Sequence, residues 1–262
     1  MATEKLSGSI PVTGVSQAPL PGALSATPVF RTPFACVTMN MTDRLRFINF
    51  PKADFEAIRA ACEAAWDRGI QEVRPYDQAM EIKLAGNPWR LYYTGDDKVR
   101  RLMRCLLENL FNRGWVLQAS VDCCMKTYDK DSLIFRHQSP PPPPHEWLAV
   151  SFEGNDRLSF LETPNSDVIN GLVQTYGDSV QWHGITEGHF EIKFGGMPWL
   201  PSGTDTVSTR ILLLNLLQAL EGFGYSLYAS IAMEVTTDGK KADVLYFTRQ
   251  ADWAPGLPVW HR

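Results

Sequence analysis

Apolar residues along the chain fall into two rhythms, period two and period 3.6. Residues 34–40 (FACVTMN) and 45–50 (LRFINF) are short, β-friendly runs separated by MTD, and they predict a strand pair. Over 51–69, Phe55, Ile58, Cys62, Ala65 and Trp66 recur at helical spacing. Asp54 is placed to cap that helix and Gly69 to stop it. AMEIKL (79–84) reads as a strand that GNPW breaks. The clearest helix lies in 94–114, where Val99, Leu102, Met103, Leu106, Leu107, Leu110 and Phe111 form an i, i+3, i+4, i+7 stripe. Asp96 and Asp97 sit at its positive end, and Gly114 supplies its stop. WVLQASVDC (115–123) and SLIFRH (132–137) then predict a hairpin around KTYDKD.

The whole pattern occurs twice. A shift of 110 superimposes residues 81–120 on 191–230 with sixteen of 40 positions identical and no gap. EIKLAGNPW (81–89) returns as EIKFGGMPW (191–199). A shift of 113 aligns DRLRF (43–47) with DRLSF (156–160), and a shift of 112 aligns SLIF (132–135) with VLYF (244–247). The chain therefore carries a duplicated unit, over about 35–138 and 148–250. Each unit predicts the order ββαβαββ. The fold class expected is α+β, an antiparallel or mixed sheet with both helices on one face. The two units are expected to pack as a pseudo-twofold pair. The boundaries are a disordered tail over 1–33, units over 34–138 and 147–250, a Pro-rich linker over 139–146 and a C-terminal tail over 251–262. Pro140 to Pro144 favour an extended, stiff spacer. The repeated phrase marks a corner that each unit turns. Gly86 and Gly196 let the chain leave the sheet, Pro88 and Pro198 end pairing, and Trp89 and Trp199 plug the core, each indole N–H needing a partner.

Shared positions report the common fold, so function is sought where the copies differ. Over 35–138 there are 16 Lys and Arg against 14 Asp and Glu, and over 148–250 there are 6 against 12, giving +2 and −6. Opposite signs favour docking of the units. Where the first long helix has Arg101 and Arg104, the second has Ile211 and Leu214, and ILLLNLLQAL (211–220) is apolar most of the way round. Such a helix is expected to be buried on both sides, or to offer Ile211 and Leu214 as a face for a partner or for self-association. Lys98, Arg100, Arg101 and Arg104 are interleaved with acids and read as a solvated helix face.

Composition narrows the classes. The 262 residues are 44% apolar and 21% charged, with a net charge of −4, which is globular and argues against a dedicated nucleic-acid binder. No run of 18 apolar residues predicts a membrane span, and the opening residues do not form a secretory signal. Five cysteines without a CxxC pair read as reduced thiols, and the location expected is cytoplasmic. No nucleotide-binding, G-x-S-x-G or H-E-x-x-H motif is present, and neither a cofactor nor a metal is expected. Asp129 and Asp131 fall in a turn, where aspartate is common. His183 sits in QWHGITEGH (181–189), read as a loop. If the hairpin closes near Tyr128 and Asp129, His137 comes near Cys123, a thinkable nucleophile and base. Glu81, Glu191, Lys83 and Lys193 alternate with apolar residues and read as cross-strand ion pairs on an exposed face. The expectation is a non-enzymatic tandem-repeat binding protein. It would hold a small apolar ligand or a protein partner between the units or on their free sheet faces, with a homo-oligomer possible on the same grounds. Its alternative is an enzyme with a site in the inter-unit cleft, for which His137, Cys123, His183 and Glu187 are the candidates.

Overall fold

The structure, a computed structural model, describes residues 32–89, 97–123, 132–235 and 241–262. The first unit runs β1 (Phe34–Asn40), β2 (Arg44–Ile48), α1 (Lys52–Ala65), β3 (Ile70–Tyr76), β4 (Ala79–Leu84), α2 (Asp97–Asn112), β5 (Trp115–Val121) and β6 (Ser132–His137). The second repeats it as β7 (His145–Glu153), β8 (Arg157–Phe160), α3 (Ser166–Tyr176), β9 (Val180–Thr186), β10 (His189–Phe194), α4 (Asp205–Gly222), β11 (Ser226–Val235) and β12 (Lys241–Gln250). Two antiparallel six-strand sheets result, ordered β3-β4-β2-β1-β6-β5 and β9-β10-β8-β7-β12-β11. The α+β internal duplication read from the sequence is the fold. Residues 1–31 of the N-terminal tail, Asp96, Tyr128, Asp129 and Asp131 lie outside the described residues.

Each unit has one strand more than the sequence pattern predicted. The additions are β3 and β9, and β9 occupies most of the stretch read as a loop. Both are edge strands, exposed along most of their length, so neither shows the apolar alternation that marks a half-buried strand. Pro75 in β3 is tolerated because an edge strand has one side that pairs with nothing.

In the first sheet Val37, Met39, Leu45, Phe47, Ile82 and Leu84 point to one side and bury against α1 and α2. In the second, Val150, Leu158, Phe160, Ile192 and Phe247 do the same beneath α3 and α4. Asp54 does not cap α1, whose N-cap residue is Pro51 and which has no side-chain cap. Its carboxylate accepts instead from Arg113 Nε and Trp115 Nε1, both at 2.9 Å, and ties the first turn of α1 to the start of β5. The repeated corner is built alike twice. Gly86 and Gly196 have φ of +83° and +76°, a region that favours glycine. Trp89 Nε1 donates to the Arg44 carbonyl at 3.0 Å, and Trp199 Nε1 to the equivalent Arg157 carbonyl at 2.8 Å.

The units join in a one-sided way. The outward face of the second sheet, carrying Trp147, Ala149, Tyr228, Val244 and Tyr246, shares a single core with α2 of the first unit. Helix α2 is thus held between two sheets. Phe111 is its centre: the rings of His145, Trp147, Tyr228 and Trp260 surround it edge-on at 4.7, 5.6, 5.5 and 5.4 Å. Tyr228 Oη also accepts from the Leu117 amide of β5 at 2.8 Å. The position equivalent to Phe111 in α4 is Glu221, which is exposed. Equivalent residues therefore stand in different surroundings. The expected pseudo-twofold pairing gives way to a head-to-tail one, because the second sheet meets a helix rather than the other unit's open sheet face.

Candidate functional site

Charge fixes the register of this seam. Arg100 of α2, 3% exposed, pairs with Glu153 of β7 and with Asp97. Arg104 Nε lies 3.1 Å from Glu162, and His189 Nε2 lies 2.9 Å from Asp97. Arg100 and Arg104 thus do not belong to a solvated helix face; they are the cations with which the basic unit meets the acidic one. Burial pushes the Glu162 carboxyl up from its ordinary value, against the pull of Arg104. Replacing Arg104 by methionine leaves the partly exposed Glu162 carboxylate without its counter-charge. The expected result is loss of about 1 kcal/mol in a urea melt at pH 7, since solvent screens the pair, and partial recovery as Glu162 is protonated at lower pH. A loss that is independent of pH contradicts the pairing.

A cleft of about 160 Å³ opens along the seam, lined by Asp97, Arg100, Glu153, Ser159, Glu187 and His189 among others. A serine, a histidine and an aspartate meet there, but not as a relay. His189 commits Nε2 to Asp97 and Nδ1 to the Leu161 carbonyl at 2.8 Å, so no ring nitrogen remains to take a proton from Ser159. Glu187 lies at the rim of this cleft, in a turn with φ of 52°. His183 is exposed on β9 opposite Ile192. His137 pairs with Trp115 and stacks edge-on against its ring at 4.7 Å. Cys123 is at the far end of the same hairpin, its Sγ 3.6 Å from Ser132 Oγ. The β5–β6 register places Val121 opposite Ser132, five residues along the strand from His137, roughly 17 Å at 3.4 Å per residue. The hairpin symmetry expected from the sequence does not hold, and the four catalytic candidates are not brought together. Among the described residues, no group of three His, Cys, Asp or Glu could hold a metal ion.

On the outward face of the first sheet, the cross-strand pairs around Glu81 exist but are not exposed. The Glu81 side chain is fully buried under Arg44, Arg46 and Arg74, with Arg46 Nε at 2.8 Å and Arg74 Nη2 at 2.9 Å. Burial alone would raise this carboxyl; the hydrogen bonds from Arg46, Arg44 and Arg74 outweigh it and hold it below the usual glutamate value. The second unit keeps only one of the three cations, Arg157, 3.2 Å from Glu191. Ser159 and Gly184 occupy the places of Arg46 and Arg74.

The other difference is α4. Ile211 and Leu214 are not buried against the first unit or the tails; they are 50% and 61% exposed. With Val207, 62% exposed, they follow i, i+4, i+7 spacing down one side of the helix, and Met197 and Leu200 extend the apolar surface. A cleft of about 570 Å³ adjoins it, lined by Phe194, Met197, Ile211 and Leu212 together with Asp178, Asp205 and Asn215. From the sequence the apolar character of α4 was legible; its exposure was not, because the sequence does not say which unit's helix the free sheet face covers.

Fold and seam define a class: a protein built from two tandem copies of one α+β domain, the sheet of the second resting on a helix of the first. The chain belongs to a family whose model describes a single domain and names no activity, and that model matches twice, over residues 33–136 and 146–248. Among solved structures, the chain is similar to a conserved kinetoplastid-specific protein from Trypanosoma cruzi, 18% identical, with a TM-score of 0.30, over 41% of this chain and 96% of that one. No curated protein matches. No described helix is long and apolar enough to cross a membrane.

Proposed function

We propose that the protein is a non-enzymatic binding module that engages a protein partner through the bare apolar face of α4. The observation carrying this reading is the row Val207, Ile211 and Leu214, three large apolar side chains each at least half exposed on one side of one helix. Single exposed apolar residues are ordinary on a soluble surface, but a contiguous row extended by Met197 and Leu200 is the mark of a contact surface. On the same side of α2, Asp97 and Arg104 are paired within the chain with His189 and Glu162, while Arg101 between them stays exposed, so most of this face is one that the fold uses for contact. An apolar small molecule is less well served: the adjoining 570 Å³ cleft mixes Asp178 and Asp205 with its apolar lining. The dispersal of the catalytic candidates, and the internal pairing of His189 in the seam cleft, argue against the enzyme reading.

The test is the double substitution Ile211→Arg and Leu214→Arg. Both positions are exposed, so the melting temperature is expected to stay within about 2 °C of wild type, as for surface changes generally. Native mass spectrometry of protein isolated from its source should show wild type carrying additional polypeptide mass and the double variant travelling alone. A variant that retains the same added mass refutes a role for this face.

A further inference from the structure

We infer that the partner on α4 is the first unit of a second copy of this chain, docked head-to-tail by a repetition of the contact that already joins the two units. This deepens the reading above and rests on it.

The intramolecular contact has two halves: the outward side of a long helix and the outward face of a β-sheet. A head-to-tail contact leaves one half unused at each end of the molecule. At one end is α4. At the other is the outward face of β1, β6 and β5, where Phe34 takes the position of Trp147 and Ile134 that of Tyr246. Phe34 is 52% exposed, Val121 on the same half of the sheet is 40% exposed, and Ile134 is half-buried. Both unused halves therefore present large apolar side chains to solvent: Val207, Leu214 and Phe34 take the places of the contact residues Asp97, Arg104 and Trp147, and Ile211 that of the neighbouring, exposed Arg101.

The substitutions between copies are matched across the two ends. Asp97 meets His189 within the chain, and the equivalent end positions are Val207 and Ala79. Arg104 meets Glu162, and their equivalents are Leu214 and Asn49. Arg100 meets Glu153, and their equivalents are Arg210 and Asn40. Both ionisable partners of the first two pairs are gone together, so an intermolecular repeat of the contact strands no charge opposite an apolar group at those positions, and in the third Arg210 meets the amide of Asn40 in place of a carboxylate. A helix side that had simply drifted in solvent would gain mainly polar residues, whereas α4 has gained Val207, Ile211 and Leu214 and one charge, Glu221, at the position of Phe111. Net charge selects head-to-tail over α4 against α4. The former brings a −6 unit to a +2 unit, the latter sets two −6 units together.

The test uses the purified full chain and sedimentation velocity over a concentration series. Wild type is expected to rise from the 29.5 kDa monomer to dimers and then to longer species, open or ring-closed according to the rotation per copy, since a head-to-tail contact leaves an unused half at each end of a dimer. Two variants block one end each: Ile211→Arg with Leu214→Arg on the helix, and Phe34→Arg with Val121→Arg on the sheet. Each alone should remain monomeric. Their equimolar mixture retains one intact helix face and one intact sheet face, and should form dimers and nothing larger. Dimers of the sheet-blocked variant alone would show α4 against α4 and overturn the inference. So would a wild type that stays monomeric throughout; if that protein still carries a different polypeptide on α4 by native mass spectrometry, the binding-module reading stands and only the identity of the occupant is lost.

Discussion

Replacing Phe111 by alanine is expected to destabilise the whole chain by about 4 kcal/mol, the cost of deleting a fully buried phenylalanine with little room for collapse. The ring is buried not by its own unit alone but by four aromatic rings contributed by the second unit and the C-terminal residues. Edge-to-face pairs of this kind each add to simple area burial. The loss should be felt by both units at once. Trp147 and Tyr228 line the same pocket, so a urea melt followed by tryptophan fluorescence and by far-ultraviolet dichroism should shift as one transition. The equivalent change in α4, Glu221→Ala, should alter stability by no more than about 0.5 kcal/mol, because that side chain is exposed. If Phe111→Ala costs as little as Glu221→Ala, the seam described here does not hold the units together.

The second large effect belongs to Glu81. Exchange for glutamine leaves Arg44, Arg46 and Arg74 converging on a neutral amide, and removing one member of a buried charge cluster costs about 3 kcal/mol. Glu191→Gln, with a single partly exposed arginine at 3.2 Å, should cost less than about 1 kcal/mol. The two equivalent substitutions thus separate the copies in one experiment. They also separate them by pH. Because the three guanidiniums hold the folded Glu81 carboxyl below the ordinary glutamate value, the unfolded chain takes up the proton first as pH falls. The stabilisation is complete above about pH 4.3 and is lost as pH drops through the folded pKa. Wild type should therefore lose stability over that acid range, and the Glu81→Gln variant should lose less of it. Equal acid sensitivity of the two proteins would remove the cage as its source.

What the sequence disclosed, and what it hid, follow from range. The duplication, the apolar stripe of α2 and the Gly-Pro-Trp corners are local or are repeated outright, and they were legible. Edge strands β3 and β9 were not, because a strand exposed on both faces lacks the alternation by which strands are recognised. The seam was hidden for a different reason. Arg100 and Arg101 are neighbours with the same charge, yet the first is buried against Glu153 and the second is exposed. Which of them turns inward depends on where the second sheet sits, and that is a property of the docked pair rather than of the helix. Phe111 shows the same limit: periodicity placed it in a core, but not in a core shared with Trp147, Tyr228 and Trp260. The candidates His137 and Cys123 failed on register, since the β5–β6 bulge and the hairpin's pairing put them at opposite ends.

One side of the long helix is largely covered in the first unit and bare in the second. Hydroxyl-radical footprinting of the dilute monomer reads this directly, residue by residue, on the unmodified chain. Val207, Ile211 and Leu214 should be oxidised rapidly, while Met103, Phe111, Trp147 and Tyr228 should react only at the rate of global unfolding. Oxidation of Phe111, Trp147 and Tyr228 as fast as that of Leu214 would contradict the stacked arrangement and the function proposed from it.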